Sequence, residues 1–204
     1  MLIIILFFVV KFIIMKRIVV FASGSGSNAE NIIEYFNKAS TAKVVHVLCN
    51  RKNAKVFERC KRLNIPCLYF TKEDFFETNK ILNFIKETAD LIVLAGFLWK
   101  VPLEMTQAFP KKILNIHPAL LPNYGGKGMY GMHVHRAVFE NKEKETGITI
   151  HFVNEQYDKG AIVYQAKTEL EESDTPETIA QKIHLLEQRY FPRIIEEVIV
   201  AVNE

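Results

Sequence analysis

From Met15 onward the sequence alternates short apolar runs with segments whose apolar residues recur every three or four positions. That alternation constrains the fold more than any other feature. Ile18 to Ala22, Val44 to Leu48, Pro66 to Phe70, Leu91 to Leu94 and Ile113 to Ile116 read as strands. Continuous apolar runs such as Leu91 to Leu94 are typical of strands buried on both faces. Between them, residues 28–37 carry Ile32, Ile33 and Phe36 at helical spacing, and a second helix runs through Val56, Cys60 and Leu63. Residues 74–87 place Phe75, Ile81, Leu82 and Ile85 on one helical face, and a short helix follows Pro102. Strands alternating with helices predict an α/β fold, a single-domain, doubly wound, mostly parallel sheet of Rossmann-like type.

After residue 120 the pattern changes. Gly147 to Val153 and Ala161 to Ala166 are β-branched runs separated by a polar loop, which predicts an antiparallel, hairpin-like pair. A long helix begins near Pro176, capped by Asp174 or Thr175, with Ile179, Ile183, Leu186 and Tyr190 at helical spacing. Pro192 is expected to kink or split it. There is no internal repeat and no low-complexity linker.

The first fourteen residues, MLIIILFFVVKFII, are apolar except for Lys11. They are too few for a membrane-spanning helix of about 20 residues. They also lack the leading basic residues and small-residue cleavage site of a secretory signal. Met15 stands directly before Lys-Arg-Ile-Val-Val, so residues 1–14 read as an extension from an upstream start, with 15–204 as the folded domain. A weak membrane anchor and an extra apolar segment packed on the body are the alternatives.

The formal net charge is +3, from 26 basic and 23 acidic residues, and no stretch gathers five or six like charges. This disfavours a nucleic-acid partner gripped by a basic stripe and leaves room for a small anionic ligand. No membrane partner is expected. Cys49, Cys60 and Cys67 are spaced by 11 and 7 residues, which fits no zinc framework. They read as reduced, structural thiols of a cytoplasmic protein. His133 and His135 alternate like a metal pair, but no third ligand is nearby and no metal is expected.

Ser23-Gly-Ser-Gly-Ser-Asn28 lies between the first strand and the first helix. Glycines allow close backbone approach, and a helix start offers free N–H groups to an anion. Phosphate binding is one reading, and a tight turn with Ser27 or Asn28 as N-cap is the other. The same letters satisfy G-x-G-x-x-A, but a dinucleotide site expects an acidic residue about 20 positions on. Cys49-Asn-Arg-Lys52 stands there instead, which disfavours NAD, while Arg51 and Lys52 keep an NADP oxidoreductase as a rival.

Asn115 and His117 project from the same face of a strand that Pro118 ends. Both therefore sit at a carboxyl edge, where open α/β sheets bind ligands. An amide donor beside an imidazole suits a developing oxyanion and a proton transfer.

The segment Asn115-Ile-His-Pro-Ala-Leu-Leu-Pro122 resembles the signature of the 10-formyltetrahydrofolate-dependent formyltransferases. Ser23 to Asn28, Leu94-Ala-Gly-Phe97 and Asp158-Lys-Gly160 follow that family's order and spacing from about Met15 to the C-terminus. The resemblance implies formyl transfer from 10-formyltetrahydrofolate, as co-substrate, to the amine of glycinamide ribonucleotide in purine biosynthesis, by a monomer or homodimer. It implies that Asn115, His117 and Asp158 are catalytic, and that Gly26, Ser27 and Asn28 hold the acceptor's phosphate. Glu187 falls at a ribose-binding position. Leu98, Trp99, Lys100 and Val101, with Asn115, Glu155, Gln156, Tyr157 and Asp158, fall at folate-binding positions.

On this reading Asn115 donates to the oxyanion, His117 carries protons, and Asp158 orients the ring and favours its protonated form. Thr149 and His151 project together and support the site from behind, although His46, His151 and His184 read more simply as packing or surface residues. The resemblance also implies a mobile loop over the glycine-rich segment Gly125 to Gly131, leading into a helix that lines the site, and permits a cis bond at Leu121-Pro122. Trp99 and Lys100 depart from the arginine that some relatives carry there, which changes the folate pocket's shape.

Overall fold

The computed structural model describes residues 15–201. The reading of residues 1–14 as an upstream extension lies outside the described residues. The elements run β1 (Lys16–Ala22), α1 (Ser27–Phe36), β2 (Ala42–Cys49), α2 (Val56–Arg62), β3 (Cys67–Tyr69), α3 (Lys72–Phe76) and α4 (Lys80–Thr88). They continue with β4 (Leu91–Leu94), α5 (Leu103–Ala108), β5 (Ile113–His117), α6 (Met132–Glu140), β6 (Glu145–Phe152), β7 (Ile162–Glu169) and α7 (Pro176–Ala201). The seven strands form one sheet in the order β3-β2-β1-β4-β5-β6-β7. The first five pair in parallel, and β6 and β7 are antiparallel additions at one edge. The expected doubly wound α/β sheet with its C-terminal strand pair is present.

Alternation along β1 divides the core. Ile18, Val20 and Ala22 face a cluster packed by α1, α2, α6 and α7. Val19 and Phe21 face a second cluster with α3, α4 and α5. All five side chains are fully buried. The second cluster is aromatic: Phe21 packs against Phe70, Phe75 and Phe97 at centroid distances of 5.8, 6.0 and 5.3 Å. Trp99 adds its ring to Phe70, Phe75, Phe76 and Phe97.

The expected helix over residues 74–87 is two helices. Asn79 takes a left-handed conformation with φ 54°, which an α-helix cannot continue through, and asparagine tolerates it better than most residues. The first piece starts earlier, because Thr71 and Asp74 form a reciprocal capping box.

Pro192 does not split α7, which runs continuously from Pro176 to Ala201. Lacking an N–H, Pro192 cannot bond the carbonyl of Gln188 four residues back. That carbonyl accepts from Asn31 Nδ2 of α1 at 2.8 Å instead. At the other end Thr175 caps the helix: its side chain accepts the N–H of Thr178, whose hydroxyl accepts the N–H of Thr175. Of the two expected caps, Asp174 braces the turn by accepting from the Thr178 hydroxyl and Lys182.

No helix of the described residues is long and apolar enough to cross a membrane. The three cysteines are unpaired; Cys49 and Cys60 are buried and Cys67 is half-buried.

Replacing Phe21 by Ala removes the ring on which the aromatic cluster closes. The variant is expected to lose about 3–5 kcal/mol of stability, read as a lowered urea midpoint with little change in the denaturant slope.

Candidate active site

A cleft of about 590 Å³ opens at the carboxyl ends of β1, β4 and β5. The chain leaves β1 toward β2 and β3 on one side and returns through β4 and β5 on the other, the switch point where open α/β sheets bind ligands. Leu98, Trp99, Lys100 and Val101 line the cleft, as do Asn115, His117, Gln156, Tyr157 and Asp158. Asn28 and Glu187 reach it from α1 and α7. Gly26 and Ser27, beside Asn28, do not line it, and Glu155 is exposed on the 153–160 loop outside the lining.

Antiparallel pairing places Asn115 opposite His151 and His117 opposite Thr149. The side chains follow that register. Asn115 Nδ2 lies 3.1 Å from His151 Nε2, while His151 Nδ1 lies 2.9 Å from the carbonyl of Phe152. A carbonyl only accepts, so Nδ1 carries a proton, and Nε2 accepts from the Asn115 amide. His117 Nε2 lies 2.7 Å from Tyr124 O, which assigns its proton by the same argument and leaves Nδ1 facing Asp158 Oδ2 at 3.7 Å. Asp158 Oδ1 lies 3.6 Å from His151 Nε2. His151 is therefore no surface residue; it is buried and touches two members of the expected trio. The supporting role read for it agrees with this placement. Period-two spacing on β6 matching that on β5 was the signal that could have joined it to them.

Asp158 reaches the site through a distorted return. It has φ 52°, and its Oδ2 accepts the N–H of Gly126 at 2.8 Å. Two residues on, Gly160 passes so close to β6 that a Cβ would lie 1.6 Å from Phe152 O. Only glycine closes the loop there, and this is the physical content of the Asp-Lys-Gly segment.

Thr149 does the corresponding work behind His117. Its hydroxyl donates to Ala119 O and accepts from Leu121 N and Gln165 Nε2, fixing the turn that contains the cis Leu121-Pro122 bond. Residues 123–131 then lead into α6, whose buried His135 lines the cleft.

Burial dominates the electrostatics of His117 and His135. Burial lowers the His117 pKa, outweighing the pull of Asp158 and the bond to Tyr124 in the opposite direction. Asp158 does pull His117 toward the imidazolium, as expected, and burial outweighs that pull. Burial likewise lowers His135, against the influence of Glu187. Burial pushes the Asp158 carboxyl up, but the neighbouring His151, the bond from the Gly126 N–H and the nearby His117 together bring it below the ordinary carboxylate range.

On the opposite wall Asn28 Nδ2 donates to Glu187 Oε2 at 2.9 Å, and His184 Nδ1 lies 3.5 Å from the same oxygen. This bond raises the His184 pKa, burial opposing it. His184, read as a surface or packing residue, therefore belongs to the cleft wall, whereas His46 packs edge-on against Phe84.

The helix start beside this wall has no side-chain cap. The position is held by Gly26 at φ 77°, not by Ser27 or Asn28, and a Cβ there would meet Val56 at 2.5 Å. Ser23 joins the two halves: its N–H donates to Gly96 O, and its hydroxyl accepts from Leu98 N at 3.1 Å. Among the described residues no group of three or more His, Cys, Asp or Glu side chains is arranged to hold a metal.

Because burial lowers the pKa of both His117 and His135, the folded protein binds fewer protons than the unfolded chain. Stability from these groups is complete above the ordinary histidine value of about 6.5 and is lost as pH falls from there through their folded values. Thermal midpoints measured between pH 7.5 and 5 should fall, and the fall should be shallower in a His135→Asn variant.

The model of the family described as formyl transferase matches residues 16–195. A protein of Arabidopsis thaliana named phosphoribosylglycinamide formyltransferase, chloroplastic, is 40% identical over 88% of this chain, and the chain spans 64% of its length. The Bacillus subtilis protein named phosphoribosylglycinamide formyltransferase is 36% identical over 93% of this chain and 97% of its own. The crystal structure of glycinamide ribonucleotide transformylase 1 from Symbiobacterium toebii superposes with a TM-score of 0.84 at 31% identity, covering 92% of this chain and 89% of that one. With the sheet order, the carboxyl-edge cleft and these matches together, the chain belongs to the formyl transferase family.

Proposed function

We propose that residues 15–204 form a catalytic domain that transfers a formyl group from 10-formyltetrahydrofolate to the amine of glycinamide ribonucleotide, a step of purine biosynthesis. One observation carries the reading: Asn115, His117 and Asp158 converge on one wall of the cleft, while Asn28, in the first turn of α1, and Glu187 stand on the other. A cleft of about 590 Å³ is within the range that encloses ligands of this size. The Leu98–Val101 strip, apolar apart from Lys100, suits a flat aromatic co-substrate. Lys100 Nζ lies 5.9 Å from the Tyr157 ring centre at the same wall. The uncapped helix start suits a phosphate. The reading assigns two small-molecule substrates, no metal, the cytoplasm, and a monomer or homodimer.

The chain's own groups account for the chemistry. Asn115 spends one amide hydrogen on His151, which leaves the other to donate to the oxygen that becomes negative as the acceptor amine adds to the formyl carbon. Since His151 Nδ1 is held by Phe152 O, the amide cannot flip without losing its acceptor. His117 rests neutral, with an unprotonated Nδ1 ready to take a proton from the attacking amine. Asp158, already ionised, stabilises the imidazolium as it forms. The protonated ring then returns its proton to the leaving nitrogen. Burial that disfavours the charged ring at rest thus works with a carboxylate that favours it during the reaction.

The purified protein should turn over 10-formyltetrahydrofolate only when glycinamide ribonucleotide is present, followed by the absorbance change of the folate. Turnover without the acceptor would mean hydrolysis, and NADPH binding with no turnover would mean an oxidoreductase. His117→Ala and Asp158→Asn should each lower kcat by about 10²–10⁴-fold with melting retained, and Asn115→Ala by about 10²–10³-fold. His151→Ala should cost about 10²-fold by releasing the Asn115 amide; unchanged turnover in a folded His151→Ala protein would refute its orienting role.

A further inference from the structure

The glycine-rich loop is shaped by α2, a helix that does not line the cleft. Val56 N donates to Gly24 O at 3.3 Å, and Arg59 Nε donates to Ser25 O at 2.8 Å. The C=O and N–H of a trans peptide point in opposite directions. Turning the carbonyls of Gly24 and Ser25 toward α2 therefore turns the N–H groups of Ser25 and Gly26 away from it. Val56 also fills the space beside Gly26, so the loop cannot relax in that direction.

The same arginine has a second engagement. Glu30 lies in the first turn of α1, and its side chain is largely buried. A carboxylate there helps an isolated helix but repels an anion arriving at the same helix end. Arg59 and Arg62, both on α2, form ion pairs with it. Arg62 is mostly exposed, while Arg59 is about one-third exposed and is less screened by solvent. Of the two arginines, Arg59 is the one that also holds a loop carbonyl.

We propose that Arg59 is a positioning residue for the acceptor's phosphate: it aims the loop's N–H groups through Ser25 and cancels the charge of Glu30, without touching the reacting atoms. The inference rests on the reading of the Ser23–Asn28 loop as the phosphate cradle of glycinamide ribonucleotide. It separates acceptor binding, set from α2, from the chemistry set at β5 and β6.

The test is steady-state kinetics on the full chain with each substrate varied in turn. Arg59→Ala should raise the KM for glycinamide ribonucleotide at least tenfold, leave the folate KM within about twofold, and leave kcat within about twofold. Arg59→Lys, which keeps a charge beside Glu30 but not the forked donor, should recover part of the loss. Adding Glu30→Gln to Arg59→Ala should also lower the acceptor KM again, because it removes the repelling charge; a role confined to holding α2 in place would give no such recovery. Inorganic phosphate should compete with the acceptor more weakly in Arg59→Ala than in the parent protein. An unchanged acceptor KM, or an equal rise in both KM values, overturns the proposal. Should Arg59→Ala fail to fold, an acceptor KM in Arg59→Lys equal to the parent's overturns it in the same way. A parent protein without acceptor-dependent turnover overturns instead the functional reading beneath it.

Discussion

The antiparallel pairing of β5 with β6 is the constraint on which the rest of the site depends. A parallel neighbour would have to arrive from the far side of the sheet through a crossover. An antiparallel one enters beside the carboxyl end of β5 and leaves beside its amino end, where Phe152 pairs with Leu114, so its return loop has to fold back toward the cleft. Register then does the assembly: Asn115 faces His151, His117 faces Thr149, and the loop leaving β6 carries Asp158 back over both imidazoles. A slip of one residue would exchange these side chains for the apolar ones on the other face. Ile150 and Phe152 on one strand and Ile116 on its partner lock that register through the core, so the hydrophobic pattern sets the geometry of the site.

The balance of charge in this pocket follows from burial. Two buried imidazoles and a carboxylate lie within a few ångströms of each other. Charging His117 at rest costs desolvation, whereas ionising Asp158 is helped by the Gly126 N–H that already points at it. The site keeps its negative charge fixed and its positive charge conditional, an arrangement suited to a group that must take up a proton and give it back.

Much of this was legible beforehand, and the reasons differ by element. Strand runs and helical spacing reported where apolar side chains go, and the core had to respect them; both clusters draw on the residues those patterns picked out. Asn115 and His117 were legible because polar groups on an otherwise apolar strand are costly; Asp158 was legible only through the resemblance of its Asp-Lys-Gly segment, whose glycine the structure requires where Gly160 meets Phe152 O. The break at Asn79 was not legible, since a left-handed residue interrupts a helix without disturbing its hydrophobic period. The neutral state of His117 was invisible for a different reason. Proximity to Asp158 can be guessed from a motif, but burial that outweighs it depends on the whole surrounding packing. The inclusion of His184 in the cleft wall likewise needed the position of α7 relative to α1.

Pro192 gives the pairing of α1 with α7 a consequence for how this sequence can vary. The proline leaves one carbonyl of α7 without its usual donor, and Asn31 supplies one from the neighbouring helix. A residue with an N–H at position 192 would restore the local bond and leave the Asn31 amide competing for an acceptor it no longer has to itself. Loss of Asn31, with the proline kept, would leave that carbonyl to water alone. Neither position is therefore free to drift by itself: the two substitutions are epistatic, each harmless or harmful according to the other. One turn before Asn31 stands Asn28, bound to Glu187 one residue before Gln188, so the same helical pair joins a structural coupling to a wall of the cleft. Variation at a buried proline is thereby linked to the Asn28–Glu187 wall of the cleft through nothing more than an unspent carbonyl.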